Sequence, residues 1–185
     1  MVSFHSESLL FESARCGNEH ALMMALTFGA DVNARDPSYL NCTAAMMAAH
    51  AGHAQCLSIL THWGALLDAA NPNNLTAALL ASGAGQAECL QMLINSNVDI
   101  DAQNSHGDTP AILAALRGHA NCLSMLIRAG CNLALKNSVG QTVTEAAAVG
   151  RNSACMQLIH AEAERHALFH LANGTLISTY PQLRI

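Results

Sequence analysis

Apolar residues in the segment 104–134 form two short helical patterns that are separated by turn signals. Thr109 followed by Pro110 predicts the start of a helix, because threonine caps helices and proline suits the first helical position. Gly118 predicts the end of this helix, and Gly130 predicts the end of a second helix that is apolar on one face. The pattern therefore predicts a unit of turn, helix, turn and helix.

The same signals recur along the chain with a period of 33 residues. The recurring residues are a cysteine in the second helix (Cys56, Cys89, Cys122, Cys155), a capping threonine (Thr43, Thr76, Thr109, Thr142) and a glycine (Gly52, Gly85, Gly118). A single helical hairpin cannot bury its own apolar face, so such copies must stack to form one continuous core. The period therefore predicts a repeat array.

These motifs resemble the ankyrin repeat. The residues that carry the resemblance are Thr109-Pro110, Ala114-Ala115, Gly118-His119, Gly52-His53, Gly29–Ala34 and, more loosely, Val98–Ala102. The resemblance covers about residues 3–165 and implies an all-α ankyrin-repeat solenoid of stacked helix-turn-helix units joined by β-hairpin-like turns. It also implies that the protein binds another protein on a concave face.

We expect a single repeat domain over residues 1–171, followed by an extended tail over 172–185. The copies are expected at about 3–35, 36–70, 71–103, 104–136 and 137–171, named copies 1 to 5 below. Copies 1 and 5 have the more polar surfaces expected of end caps. Their first and last helices should begin near Ser8 and end near Leu171. Copy 3 should be the softest inner copy, because Gly83 and Gly85 crowd the end of its first helix.

The turn over residues 35–42 is two residues longer than the period allows. Loops tolerate insertions at low cost, and this one places Tyr39 beside Leu40 at the tip of a projecting turn. Two interpretations remain open. Tyr39 is either an aromatic anchor for a partner or folded back on its neighbour.

Composition and charge exclude several classes of function. A net charge of −5 with a single lysine gives no basic stripe, which excludes nucleic acid as a direct partner. No apolar run approaches the roughly 18–20 residues of a membrane span, and the first ten residues lack the pattern of a secretory signal. We therefore expect a monomer in the cytoplasm, with the nucleus left open.

Seven cysteines without a CxxC pair fit a reducing compartment. We expect the four recurring cysteines to be small buried side chains, since stacked helices lie too far apart for a disulfide. Cys16 and Cys131 are expected to be the least buried thiols.

No nucleophile with a base, pair of inward carboxylates or phosphate-binding loop is apparent, so we expect no enzyme activity and no cofactor. Glu162, His166 and His170 are spaced by four residues and could present zinc ligands on one helix face. A metal-dependent enzyme is therefore kept as a disfavoured alternative, because histidines on a polar capping helix are common and further ordering groups are missing.

The remaining hypothesis concerns the surface formed by turn tips and by the ends of the first helices. The predicted partner-binding residues are Arg15, Tyr39, Leu40, His50, Asn73, Leu75, Ser105, His106, Asp108, Leu116, Arg117, Val139 and Gln141. Within copy 4 we expect His106, Asp108, Leu116 and Arg117 to be residues that the fold does not need. The leading hypothesis is a non-catalytic adaptor, and the alternative is a regulatory subunit or inhibitor of an enzyme.

Overall fold

The computed structural model describes the backbone of residues 2–172 and the side-chain surroundings of residues 6–165. The helices in this part of the chain are α1 (Val2–Cys16), α2 (Glu19–Thr27), α3 (Ala44–Ala51), α4 (Ala54–His62), α5 (Ala77–Ala84), α6 (Ala87–Asn95), α7 (Pro110–Arg117), α8 (Ala120–Arg128), α9 (Val143–Val149) and α10 (Ser153–Ala172). Two short antiparallel strands, β1 (Arg35–Asp36) and β2 (Cys42–Thr43), flank a 3-10 turn at Pro37–Tyr39.

The helices form five successive hairpins, one for each predicted copy. The first helices α1, α3, α5, α7 and α9 stack on one another in chain order, and the second helices form a parallel layer beside them. Each hairpin therefore contacts mainly its neighbours in the sequence, as in other repeat proteins. The predicted all-α solenoid of helix-turn-helix units is confirmed.

The unit over residues 104–134 has the predicted helix ends. Thr109 Oγ1 accepts a hydrogen bond from the Ile112 N–H at 3.2 Å, and Pro110 lies at the first helical position. Gly118 and Gly130 adopt left-handed φ angles of 79° and 85°, which glycine tolerates without a steric penalty. Local sequence chemistry is thus sufficient to set the helix ends.

The core is a continuous layer of alanine, leucine and cysteine side chains. The four recurring cysteines are no more than 1% exposed, as predicted, and all seven cysteines are free thiols. Cys16 is exposed and the next most exposed thiol is that of Cys131, as expected, although at 8% exposure Cys131 is still buried. It follows Gly130, whose left-handed turn directs the chain back over the end of α8, and the equivalent Val98 of copy 3 is also buried.

The two terminal helices differ from expectation in length. α1 begins at Val2 rather than near Ser8, because residues 3–7 contain no glycine or proline that would stop a helix. α10 ends at Ala172, one residue beyond the predicted Leu171. The rest of the predicted tail, 173–185, lies outside the described residues. No helix in the described part of the chain combines the length and apolar character that crossing a bilayer requires.

Candidate functional site

Large apolar side chains are exposed very unevenly along the chain. Among the residues whose side chains are described, those exposed are Leu9, Met23, Met24, Phe28, Tyr39, Leu40, Trp63, Leu66, Val139 and Val149. Eight of these ten lie in copies 1 and 2, and the other two lie in copy 5. Concentrations of exposed apolar groups often mark interaction sites, so copies 1 and 2 are candidates for a binding surface.

The inserted turn in copy 2 is held firmly from both sides. Asp36 Oδ1 accepts a hydrogen bond from the Ser38 N–H at 2.8 Å, and the Asp36 carbonyl accepts one from the Asn41 N–H at 2.9 Å. The Arg35 guanidinium donates to the Asn41 carbonyl at 3.2 Å and to the Ala70 carbonyl at 2.9 Å. The turn is therefore tied to itself and to the next turn in the stack.

Tyr39 and Leu40 lie at the tip of this turn and are 47% and 60% exposed. Leu40 has a φ of 55° and Asn41 a φ of 54°, both in the left-handed region. That region costs most L-residues about 1–2 kcal/mol, although asparagine tolerates it better than leucine. The insertion thus presents an exposed leucine in a conformation that leucine disfavours.

The tips of successive turns form one row of equivalent positions. By the 33-residue period Leu40 corresponds to Asn73, His106 and Val139, and all four are exposed. Leu40 is the one member of this row with a left-handed φ. Backbone hydrogen bonds join neighbouring tips, since the Ser105 N–H donates to the Asn73 carbonyl at 3.0 Å and the Ser138 N–H donates to the His106 carbonyl at 2.8 Å.

Arg15 lies in the last turn of α1. Its guanidinium forms an exposed ion pair with Glu12, with Nη2 and Oε1 2.7 Å apart. The pKa of Arg15 is raised mainly by the Glu12 carboxylate and, to a smaller extent, by the Tyr39 hydroxyl. Hydrogen bonds from Arg15 and Cys16 lower the pKa of Glu12. The guanidinium of Arg15 is thus held by a partner within its own helix.

Of the thirteen predicted partner-binding residues, nine are exposed and four are partly buried. The exposed residues are Arg15, Tyr39, Leu40, His50, Asn73, Ser105, His106, Arg117 and Val139. The partly buried residues are Leu75, Asp108, Leu116 and Gln141. Nine of the thirteen predicted residues are thus accessible to a partner.

The expectation that the fold does not need Asp108, Leu116 and Arg117 is wrong. The Arg117 guanidinium donates a hydrogen bond to the Gly83 carbonyl in the preceding copy at 2.7 Å. Asp108 Oδ1 accepts a hydrogen bond from the Asn137 side chain of the next copy at 2.9 Å, and Leu116 packs against the core. These contacts join neighbouring copies, so one copy considered alone does not reveal them.

A further set of polar residues links each copy to the one before it. The side chain that precedes each later second helix lies near a carbonyl at the end of the previous first helix. The pairs are His53 and Arg15 at 3.1 Å, Gln86 and His50 at 3.4 Å, His119 and Gly83 at 3.2 Å, and Asn152 and Leu116 at 3.0 Å. The sequence contains a signal for these links, because imidazole and amide side chains recur at this position with the period of the repeat.

The proposed metal ligands do not form a describable site. Glu162 forms an ion pair with Arg165, with Oε2 and Nη1 2.9 Å apart, while the side chains of His166 and His170 lie outside the described residues. Within the described part of the chain, no three His, Cys, Asp or Glu side chains are grouped so that they could hold a metal ion.

Comparison with known proteins agrees with this architecture. The family model for ankyrin repeats (3 copies) matches residues 9–104 and 80–168, two overlapping segments that together span most of the chain. No curated protein matches the sequence.

Proposed function

Because the chain belongs to the ankyrin-repeat family, whose members are generally protein–protein interaction modules, we propose that it is a non-catalytic module that binds a partner protein. The binding surface is the row of turn tips with the adjoining ends of the first helices, and its centre lies in copies 1 and 2. Tyr39 and Leu40 are the anchors, and Arg15 and His50 flank them. The observation that carries the proposal is the exposure of two large apolar side chains, Tyr39 at 47% and Leu40 at 60%, side by side at the tip of the inserted turn.

Leu40 has the strongest individual support. A leucine that is 60% exposed gains little from folding, and its φ of 55° adds a conformational cost. Unfavourable backbone conformations of this kind cluster at functional sites, where the surrounding structure holds them in place. The hydrogen bonds of Arg35 and Asp36 provide that support, so the side chain is held ready before a partner arrives.

The expected contribution of Leu40 follows from its exposed area. Full burial of a leucine side chain is worth about 1.5–3 kcal/mol, and a side chain that is still 60% exposed can gain about 1–2 kcal/mol on binding. This corresponds to roughly a 5- to 30-fold change in affinity. Partners are therefore expected to present an apolar pocket to the tip of the turn.

The matched variants Leu40→Gly and Asn41→Gly test this assignment. Both replace a left-handed residue by glycine, so neither should unfold the turn, but only Leu40→Gly removes an exposed apolar side chain. The full-length protein and both variants would serve as baits in affinity capture from native cells, with bound proteins quantified by mass spectrometry. We expect the partner to be retained by Asn41→Gly and reduced at least about 5-fold by Leu40→Gly.

Two results would contradict the proposal. A partner retained equally by both glycine variants, at unchanged Tm, would show that Leu40 is not an anchor. A partner lost with Val139→Gly but retained with Leu40→Gly would move the site to copy 5. If the captured partner is an enzyme, its turnover with and without the chain separates a regulatory subunit from an adaptor.

A further inference from the structure

Three large apolar side chains are exposed where the second helices end, outside the turn tips assigned above. Phe28 and Trp63 follow α2 and α4 at equivalent positions, and they are 63% and 43% exposed. Leu66, on the loop after α4, is 63% exposed. Because α2 and α4 pack against each other, these side chains lie on adjacent units of the stack. Phe28, Trp63 and Leu66 are named the outer patch below.

The repeat itself does not require apolar residues at these positions. Copies 3 and 4 have Ser96 and Ala129 where copies 1 and 2 have Phe28 and Trp63. A leucine that remains largely exposed contributes little to folding. In the other copies the position of Leu66 is occupied by the polar residues Asp31, Asp99 and Asn132. The outer patch is therefore a feature that copies 1 and 2 add to the common fold.

Leu66 is fixed by the preceding copy and lies between two carboxylates. Its N–H donates a hydrogen bond to Asn33 Oδ1 at 2.8 Å. The equivalent bond joins the next two copies, since the Asp99 N–H donates to Asp68 Oδ1 at 2.9 Å. These bonds place equivalent residues of successive copies in one row, in the order Asp31, Leu66, Asp99. The exposed leucine thus has an acidic residue on either side.

The surroundings of the outer patch are negatively charged. The second helices and following loops of copies 1 to 3, residues 19–34, 54–70 and 87–103, contain no lysine or arginine. Their carboxylates are Glu19, Asp31, Asp68, Glu88, Asp99 and Asp101. Within the part of the chain whose side chains are described, none of these carboxylates forms an ion pair with lysine or arginine. The apolar side chains are therefore bordered by negative charge that the protein itself does not neutralise.

We propose that the outer patch docks a short segment of a partner protein that combines apolar side chains with arginine or lysine. Phe28, Trp63 and Leu66 contact the apolar side chains, and the surrounding carboxylates face the basic ones. The indole of Trp63 also suits a guanidinium stacked on its face. Neighbouring copies lie roughly 10 Å apart, so an extended segment of about eight residues reaches across copies 1 to 3. This surface is additional to the turn tips.

Other occupants fit the outer patch less well. The corresponding segment of copy 4, 120–136, carries Arg128 and Lys136 and no carboxylate. This segment lies wholly within the described residues, and it exposes no large apolar side chain. A second copy of the chain would therefore supply positive charge without the apolar contact. An anionic membrane surface would be repelled by the carboxylates.

Substitutions borrowed from the chain's own copies separate the apolar and the charged contributions. Leu66→Asn introduces the residue that copy 4 has at this position, and it removes the apolar anchor without a change of charge. Asp68→Asn introduces the residue of copy 1, and Asp99→Asn that of copy 4. Asn33 and Asn132 accept the equivalent hydrogen bonds in those copies, so neither variant should disturb its loop.

Trp63 is the only tryptophan of the chain, so its fluorescence reports binding at the outer patch. The full-length protein would be titrated at low salt with synthetic peptides of about eight residues, composed of arginine and leucine, of glutamate and leucine, or of arginine and serine. We expect the arginine and leucine peptide to bind most tightly and to shift the emission to shorter wavelength. Leu66→Asn should weaken its binding about 5-fold or more. Asp68→Asn and Asp99→Asn should each weaken it by roughly 1.5- to 5-fold, and less at high salt.

Two controls locate the effect. Glu164→Gln removes an exposed carboxylate from α10 in copy 5 and should leave peptide binding unchanged. A loss equal to that in Asp99→Asn would overturn the site, because net charge alone would then explain binding. Leu40→Gly should also leave the titration unchanged, so this proposal and the turn-tip proposal fail separately.

Four further results would overturn the proposal. One is an equal response to the glutamate and leucine peptide, and another is unchanged affinity in Leu66→Asn at unchanged Tm. A larger emission shift with phosphatidylserine vesicles than with the arginine and leucine peptide would identify a membrane as the occupant. Sedimentation that detects a dimer of the full-length protein, lost in Leu66→Asn, would identify a second copy.

Discussion

Replacement of the buried Gly83 by alanine should stabilise copy 3. Gly83 lies within α5 with an ordinary helical φ, and a Cβ there would be 3.4 Å from Arg117 Nη1 and 3.6 Å from Leu113 Cδ1. These are ordinary contacts with the ends of flexible side chains. Alanine is favoured over glycine by about 1 kcal/mol inside a helix. Because Gly83 is close to the end of α5, we expect Gly83→Ala to raise the free energy of unfolding by about 0.5–1 kcal/mol.

Gly85, two residues further on, provides a control with the opposite sign. Its φ is +75°, and a Cβ at this position would lie 2.6 Å from His119 Nδ1. Alanine there would adopt a disfavoured left-handed conformation and push His119 away from the Gly83 carbonyl. We therefore expect Gly85→Ala to lower the free energy of unfolding by at least about 1–2 kcal/mol.

Urea unfolding and amide hydrogen exchange would measure both effects. Gly83→Ala should raise the Tm by roughly 1–4 °C, since 1 kcal/mol corresponds to about 2–4 °C in a chain of this size. In the unsubstituted protein, amides of 79–85 should exchange faster than those of 112–118, and Gly83→Ala should narrow this difference. A loss of stability in Gly83→Ala, or equal exchange in the two segments beforehand, would refute the view that glycine softens copy 3.

Three further outcomes are expected. Thr109→Ala should lower the free energy of unfolding by about 1 kcal/mol, because the helix cap is lost. Thr109→Ser keeps a capping hydroxyl and should retain most of this free energy. An unchanged urea midpoint in Thr109→Ala would count against the capping role. A thiol reagent should react with one accessible cysteine, Cys16, in the native protein and with all seven in the denatured protein. More than one rapidly reacting thiol in the native protein would contradict the burial described above. Burial raises the pKa of Cys89 to about 11 and that of Cys131 to about 12, whereas unfolded thiols ionise near their ordinary value of about 8.5. Unfolding in this pH range releases protons, so stability should fall above about pH 8.5 by up to roughly 1.4 kcal/mol per pH unit for each thiol, and Cys131→Ala should make the fall shallower.

The parts of the fold that depend on local chemistry were predictable from the sequence. Thr109, Pro110 and Gly118 set helix ends through contacts that span only a few residues, and their recurrence fixed the repeat. The link from Arg117 to Gly83 was not predictable in this way, because its two partners lie 34 residues apart and belong to different copies. Assigning residues of one copy to the fold or to a binding surface therefore requires the neighbouring copies as well.

The positions that make up the candidate surface were predictable from the sequence, but the exposure of their side chains was not. The period alone places Leu40, Asn73, His106 and Val139 in equivalent positions, and the structure aligns them along the turn tips. Exposure does not follow from the period, because it depends on what packs beside each copy. Leu9 illustrates this limit, since the same position is buried in every later copy.

The uneven distribution of exposed apolar groups favours the proposal of a localised binding surface over one spread along the whole solenoid. If all copies contributed equally, large exposed apolar side chains would recur every 33 residues, as the buried cysteines do. Instead copies 3 and 4 expose none among the residues described, and their polar groups at Gly83, Arg117 and His119 are used to join the copies. The left-handed φ of Leu40 also occurs only where the two-residue insertion departs from the repeat. We therefore expect binding at the inserted turn, where the repeat is least regular.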